Sequence, residues 1–266
     1  MRYCRTVKLS FPIPDKNSGI LYREIRTDAG NYENVYQILS DLSGSKIKEN
    51  YMAHLDPDLC SNSFPRDKGW RPVFGQQAQS LSHLKNNSVG EGDLFLFFGL
   101  FRETEYVAGK LQYRKGTKPF HAIFGYLLVD RVVDLNDELP DDLDWLKYHP
   151  HMKIKGANNS IFISAKKLPV SGRNYCGAGT FKDFSEDIRL SSNSGSASTW
   201  KLPSWFYPYS GDKPPLTYHS DNSRWKLFDD YTELSSVCSG QEFVLDAKYY
   251  PEIFSWLDSI FKNMQI

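Results

Sequence analysis

The most concentrated group of side chains able to bind a metal ion or move a proton lies in one short segment, which reads His54-Leu55-Asp56-Pro57-Asp58-Leu59. Pro57 favours extended backbone at Asp56, so we expect Asp56 and Asp58 to project to similar sides, with His54 able to join them. Such a set can hold a hard divalent cation or act as an acid/base pair. An aspartate before proline is also an ordinary turn and capping arrangement, so the spacing alone leaves the metal unknown.

Further polar candidates follow in the segment from Gly75 to His83. Gln76 and Gln79 lie at the start of a predicted helix that carries His83. A glutamine can form two hydrogen bonds to a base edge, and the amides of a helix N-terminus receive phosphate. A glutamine on a helix is also commonly just solvated. We keep Gln76 and Gln79 as ligand-binding candidates and His83 as a catalytic candidate.

An aromatic segment at residues 200–209 supplies the remaining candidates. It carries Trp200 and Trp205 among prolines and tyrosines without helical or strand periodicity, and His219 follows it. Exposed rings can stack on a base, whereas buried rings complete a core, which is the better interpretation from sequence alone. Gln241 and Glu242 offer an amide and a carboxylate at the start of a predicted strand, and Glu242 could be a base or only a charge.

The His149-Pro150-His151 segment places two imidazoles on one side of an extended stretch. This is compatible with a metal ion. Neighbouring lysines would repel a cation, however, so we expect a surface role for these residues.

The composition excludes several classes of protein. The 266 residues include 32 Lys+Arg and 32 Asp+Glu, so the formal net charge is zero and any nucleic-acid contact must be local. No stretch is apolar enough for a membrane span or a signal peptide, which predicts a soluble, cytoplasmic protein without a membrane partner. No nucleophile elbow, Walker loop, HExxH or dinucleotide fingerprint occurs, and the cofactor is unknown. The cysteines are too far apart for a metal clip or disulfide framework, which predicts reduced thiols at Cys4, Cys60, Cys176 and Cys238.

Hydrophobic periodicity predicts the elements that must position these groups. Helices are predicted at 32–42 and 77–86, and an amphipathic C-terminal helix after Pro251, whose apolar face runs from Tyr250 to Phe261 and includes Phe254. Strands are predicted at 7–13, 94–101, 120–133, 160–164 and 242–247. The apolar runs at 94–101 and 120–133 predict two antiparallel strands buried on both faces. Gly99 and Gly125 would suit the bends of a small barrel. We therefore predict one α+β domain over residues 1–266, with a small mixed or antiparallel β-barrel, peripheral helices and long ordered loops.

The order of the motifs resembles the third nucleotide-modification-associated domain family, from about residue 7 to residue 247. The resemblance rests on His54-Leu-Asp-Pro-Asp-Leu59, Gly69-Trp-Arg-Pro72, Phe74-Gly-Gln76, Ala78-Gln79 with His83-Leu84, Val89-Gly-Glu-Gly-Asp-Leu-Phe-Leu-Phe-Phe-Gly99, His121-Ala-Ile-Phe-Gly125, Gly177-Ala-Gly179, Trp200-Lys-Leu-Pro203 with Trp205-Phe206, and Gly240-Gln-Glu-Phe-Val244. It implies association with bacterial and phage systems that modify DNA bases, including phage defence. The implied partners are a nucleotide or a modified base, and they can include DNA.

Two further features of the resemblance bear on the fold. Residues 88–133 are similar to the strand and returning strand of PUA-like and EVE-like domains, which implies a PUA-like barrel as a fold-level analogy. Members of the family begin with another strand and a basic, Gly/Ser-containing segment before the Leu-Ser-Phe-Pro-Ile-Pro stretch. This chain reaches that stretch at Leu9. We therefore expect a shortened or differently built N-terminus, which could remove active-site residues.

Together these observations predict a component of a nucleotide or DNA base modification pathway. We expect a base or nucleotide to bind in a pocket lined by His54, Asp56, Asp58, Gln76, His83 and rings of 200–209. If the protein is an enzyme, acid/base or metal-assisted chemistry would use Asp56 or Asp58 with His54 as partner. The alternatives are a non-catalytic reader of modified bases, with residues 110–118 holding phosphates, and a protein-interaction subunit.

Overall fold

The computed structural model describes residues 9–156, 158–170, 172–209, 213–237 and 242–263. In these residues the α-helices are α1 (Val35–Leu42), α2 (Ala78–Asn86) and α3 (Glu252–Asn263). The strands are β1 (Ile13–Pro14), β2 (Ala53–His54), β3 (Val73–Gln77), β4 (Leu94–Phe101), β5 (Thr104–Val107), β6 (Lys110–Tyr113), β7 (Phe120–Asp134), β8 (Asn159–Ser164), β9 (Lys167–Val170), β10 (Arg173–Cys176), β11 (Ala178–Thr180), β12 (Thr199–Pro203), β13 (Trp225–Leu227) and β14 (Tyr231–Ser235). Short 3-10 helices lie at Tyr22–Glu24, Asp141–Tyr148, Pro150–Lys153, Glu186–Ile188, Ser204–Phe206, Asn222–Arg224 and Ala247–Tyr249.

The 15-residue strand β7 organises the largest sheet. It pairs antiparallel with β4, β11 and β8, and β8 pairs with β3. Register shifts fall between Phe97 and Phe98 on β4 and between Val129 and Arg131 on β7, and such irregularities bend a sheet. The result is an α+β fold with antiparallel sheets, one of them curled into a half-barrel. A closed PUA-like barrel is not confirmed.

Gly125 on β7 is required by packing. A Cβ at Gly125 would lie 2.6 Å from Leu59 Cδ1 and 3.0 Å from the Gly179 carbonyl oxygen. Leu59 is buried against the sheet in a cluster with Leu127. This close approach anchors the chain that carries His54 and Asp56 onto the sheet. At Gly99, by contrast, an added Cβ would meet only ordinary contacts, beginning at 3.5 Å.

The predicted helices and central strands form where their periodicity places them. Asn34 caps α1 by accepting a hydrogen bond from the Gln37 amide, and α2 buries Leu81 and Leu84. The pair β4 and β7 is antiparallel, as expected, and is joined through the β5–β6 hairpin. No helix among the described residues has both the length and the apolar character needed to cross a bilayer.

Several local expectations are corrected. Described residues 242–246 form no strand, and the strand predicted from residue 7 is reduced to β1 where it is described, because Pro12 and Pro14 donate no backbone hydrogen bond. Strand β4 is half-buried rather than buried on both faces. Helix α3 buries Ile260 and Phe261, but Phe254, expected on its apolar face, is 63% exposed. Cys60 and Cys176 are free thiols, and Cys4 and Cys238 lie outside the described residues.

Candidate functional site

The pairing of two very short strands brings the first two site residues together. Ile13 of β1 lies opposite His54 of β2, which places Asp15 directly beside the imidazole. His54 Nδ1 lies 2.9 Å from Asp15 Oδ2. A carboxylate can only accept this hydrogen bond, so His54 Nδ1 carries the proton and Nε2 faces the opposite direction.

The 3-10 helix at Pro150–Lys153 places two more histidines in the same region. His149 caps this helix, its Nδ1 accepting the His151 backbone N–H at 3.4 Å. The His151 ring packs directly over Gly75 of β3, where an added Cβ would lie 2.3 Å from His151 Cδ2. The Gly75 N–H donates to Asp56 Oδ1 at 2.8 Å. A glycine at this position therefore lets ring, backbone and carboxylate meet.

All three imidazoles face Asp56. His151 Nε2 lies 3.4 Å and His54 Nε2 lies 3.8 Å from Asp56 Oδ2, and His149 Nε2 lies 3.5 Å from Asp56 Oδ1. The Asp56 side chain is 6% exposed and that of His149 is fully buried. We call these residues the histidine–aspartate cluster, which comprises Asp15, His54, Asp56, His149 and His151.

The cluster keeps its carboxylates ionised. Burial raises the pKa of Asp56, but its interactions with the adjacent His149 and His151 imidazoles outweigh this effect and hold the pKa well below its usual range. Burial lowers the pKa of His151, and its interactions with Asp56 reverse this, so the pKa is raised. Burial also raises the pKa of Asp15, but the hydrogen bond from His54 outweighs this effect and the pKa is lowered overall. Asp56 is therefore a weak proton acceptor near neutral pH and is better suited to hold a positive charge.

Two members of the cluster, Asp15 and His54, line a cleft of about 560 Å³, and Asp56, His149 and His151 are buried behind them. Asp15 and His54 line this cleft together with Gln77, Lys153 and Lys155. A cleft of this volume is in the range of small-ligand sites, and its two lysines favour an anionic ligand. The ligand atoms of His54, Asp56 and His151 lie within 4.8 Å of one another, so these three residues could also hold a metal ion.

Asp58 does not join Asp56 in the histidine–aspartate cluster, contrary to the expected common side. Both of its carboxylate oxygens accept from the Arg66 guanidinium at 2.6 Å, and Oδ2 also accepts from the Tyr148 hydroxyl at 2.6 Å. The side chain is 1% exposed, and Arg66 is covered by the Trp70 ring at 4.2 Å. The contacts of Asp58 with Arg66 and Tyr148 form a buried structural ion pair. The Asp56–Pro57 peptide bond that precedes Asp58 is cis.

The glutamine and His83 candidates lie outside the cleft. Successive side chains of a strand point to opposite faces, so Gln77 reaches the cleft and Gln76 points away from it. Gln76 Nε2 donates to Glu242 Oε1 at 2.6 Å. His83 Nε2 lies 3.1 Å from the Thr217 hydroxyl. Gln79 is exposed on α2.

The aromatic candidates mostly belong to the core. Trp200 is 4% exposed and donates its indole N–H to His121 Nδ1 at 2.9 Å. Trp205 is half-buried and stacks on Phe206 with ring centroids 4.0 Å apart. His219 is fully buried and its Nε2 accepts the Val237 amide. Gln241 lies outside the described residues.

The structure corrects the surface role expected for His149 and His151, which are 0% and 3% exposed. Of the lysines expected to repel a cation here, Lys153 donates through Nζ to the Ser18 carbonyl. The spacing of His149-Pro150-His151 was the feature of the sequence that pointed to these two imidazoles. Asp15 and Asn159 were not singled out, since only the β1–β2 and β3–β8 pairings bring them to the cluster.

Comparison with known proteins identifies the family. A family model described as nucleotide modification associated domain 3 matches residues 6–246, which include every residue of the histidine–aspartate cluster. Among curated proteins and among solved structures, none matches the chain. The chain belongs to the nucleotide modification associated domain 3 family, whose name indicates involvement in nucleotide modification.

Proposed function

We propose that the protein binds a nucleotide in the cleft beside His54 and processes it with the histidine–aspartate cluster. The observation that carries the proposal is the convergence of three imidazoles on Asp56, one of which, His54, lines a cleft that also carries Lys153 and Lys155. The family relationship supports a nucleotide as the ligand. The motif resemblance extends the proposal to nucleotides of DNA in bacterial or phage base-modification systems.

The lysines would hold the phosphate. Because the net charge of the chain is zero, attraction of an anion depends on charges within about one Debye length, roughly 8 Å in physiological salt. Lys153 and Lys155 are exposed charges at the cleft, and Lys153 is tethered to the Ser18 carbonyl. A phosphate placed there brings the rest of the nucleotide beside His54.

The cluster would supply the chemistry. Asp15 fixes the orientation of His54, and Asp56 stays ionised behind it. The arrangement suits acid/base chemistry at His54 Nε2 or metal-assisted chemistry at the same atom. Both assign Asp56 a charge-holding role rather than that of a proton acceptor.

The reader and interaction-subunit alternatives depend on exposed aromatic rings. Trp200 is buried with its N–H occupied, so it cannot stack on a base without opening the core. Trp205 is half-buried against Phe206. These contacts support a packing role for both rings, and they favour the cleft over the 200–209 segment as the ligand site.

Calorimetric titration with nucleoside mono- and triphosphates and short single-stranded DNA tests the proposal. Lys155→Ala should weaken binding about fivefold, since an exposed charge contact contributes about 1 kcal/mol. Lys226→Ala is the matched control, because Lys226 is an equally exposed lysine on β13 that does not line the cleft. Absence of binding by the wild-type protein, or an equal loss in both variants, would refute the proposal.

A further inference from the structure

We propose that His54, Asp56 and His151 bind one divalent transition-metal ion. The ligands are Nε2 of each histidine and Oδ2 of Asp56, and His54 is the ligand residue that lines the cleft. The metal site stands on its own geometry and does not depend on which nucleotide the cleft accepts.

The spacing of the three atoms suits such an ion. Two ligands that each lie about 2.1 Å from a tetrahedral ion are about 3.4 Å apart. His151 Nε2 and Asp56 Oδ2 are already 3.4 Å apart, and His54 Nε2 is 3.8 Å from the same oxygen. One ligand atom from each of the three residues lies within 4.8 Å of the other two, so small side-chain rotations bring them into range.

The hydrogen bonds around the ligands leave the correct atoms free. Asn159 Nδ2 donates to the His151 carbonyl at 2.9 Å, which turns Asn159 Oδ1 toward His151 Nδ1 at 2.7 Å. His151 Nδ1 is therefore a donor, as His54 Nδ1 is to Asp15. Each neutral ring then presents the lone pair of Nε2, the arrangement that orients metal-binding histidines in general. The Gly75 N–H occupies Asp56 Oδ1 and leaves Oδ2 for the ion.

A buried polar atom without a partner gives a second, independent indication. His149 is fully buried, and its Nε2 has no hydrogen-bond partner within the part of the chain that the structure describes. Its Nδ1 accepts the His151 amide, so Nε2 carries a proton and points at Asp56 Oδ1, 3.5 Å away. The neutral His54 and His151 rings, by contrast, direct two Nε2 lone pairs at Asp56 Oδ2 with no proton between them. An ion on Oδ2 would serve His54 and His151 and leave Oδ1 to His149 and Gly75.

The donor set selects the class of metal. Two imidazoles and one carboxylate suit zinc, iron, cobalt or manganese, whereas magnesium and calcium prefer oxygen ligands alone. No cysteine belongs to the described cluster. Three protein ligands leave at least one position for water or substrate, as in catalytic metal sites. The ion could then activate water or polarise an oxygen of a nucleotide held by Lys153 and Lys155.

Metal analysis after equilibrium dialysis of the chelator-stripped full chain tests the site, using zinc, manganese, cobalt and anaerobic ferrous iron in turn. Cobalt absorption in the visible range reports whether histidine nitrogens are ligands. We expect one ion per chain in the wild type, and at least 100-fold weaker binding in His54→Gln and in His151→Gln. Circular dichroism without metal separates loss of a ligand from loss of the fold, and His54 is half-buried, so its variant should fold.

His83→Gln is the matched control, because His83 is a half-buried histidine on α2 that contacts Thr217 rather than the cluster. It should retain one ion with unchanged affinity. No bound ion in the wild type, or unchanged affinity in folded His54→Gln, would overturn the metal site. Metal binding without nucleotide binding would support the metal site and refute the proposed function. Nucleotide binding by a chain that binds no metal would support the proposed function and refute the metal site.

Discussion

Replacing Asp58 by alanine should destabilise the protein severely, because the substitution leaves a buried guanidinium unpaired. Asp58 is 1% exposed and Arg66 is 11% exposed at their side chains. Both Asp58 oxygens accept from Arg66, and the Tyr148 hydroxyl donates to one of them. Removal of one partner of a buried ion pair costs about 3–5 kcal/mol.

The expected change in melting temperature follows from the chain length. A protein of 150–250 residues loses about 2–4 °C per kcal/mol, so Asp58→Ala should lower Tm by about 6–20 °C. The backbone bridge between Asp58 and Val73, with N···O distances of 2.9 and 3.0 Å, remains available in the variant. The decrease in Tm can therefore be assigned to loss of the Asp58 side chain.

Thermal unfolding followed by circular dichroism or calorimetry at neutral pH measures the effect. Asp142→Asn is the matched control, because Asp142 pairs with Arg131 at 3.1 Å and both side chains are exposed. Its Tm should change by less than about 2 °C, as for most surface substitutions. If Asp58→Ala melts within that margin of wild type and yet loses nucleotide binding, Asp58 belongs to the site and the structural interpretation is wrong.

Two further substitutions test the packing around the site and the core. Gly75→Ala would place a Cβ 2.3 Å from His151 Cδ2, so the imidazole ring must move. Metal affinity measured by dialysis should then fall about 10- to 100-fold. Gly90→Ala is the control, because a Cβ at Gly90 meets open space and metal affinity should not change. His121 accepts the Trp200 N–H, and burial lowers the pKa of its imidazole in the folded protein. As the pH falls, His121 therefore becomes protonated in the unfolded chain before it does in the folded protein. The free energy of unfolding should then decrease as the pH drops below about 6.5. His121→Gln keeps an acceptor without a titration, so wild type should lose up to about 1.4 kcal/mol per pH unit relative to the variant in urea unfolding. Identical pH slopes would contradict this account.

The local parts of the fold could be predicted from the sequence. Helices α1 and α2 and strands β4, β7 and β8 have strong periodicity, and each forms within a few residues of its expected bounds. The irregular segment at 242–246 could not be assigned in this way. Its apolar residues Phe243 and Leu245 pack against the core from a loop, and burial alone does not distinguish such a loop from a strand.

The candidate site could be predicted only in part. The His54–Asp56 segment was identified because its residue types are concentrated in one stretch. Asp15 could not be identified as its partner, because it reaches the segment through a tertiary contact that leaves no pattern in the sequence. The His149-Pro150-His151 spacing marked two imidazoles but could not show that they are buried against Asp56. The expected convergence with His83 failed for a local reason, since α2 directs this side chain to Thr217.

The histidine–aspartate cluster is assembled from segments far apart along the chain, around Asp15, His54 and His151. An unfolded chain has no comparable arrangement, so any ion or nucleotide that binds there binds the folded state alone. Such a ligand at 100 times its Kd would add about 2.7 kcal/mol to folding. Supply of the ligand would thereby set how long each molecule survives proteolysis in the cell, and the abundance of this protein would follow the availability of what it binds.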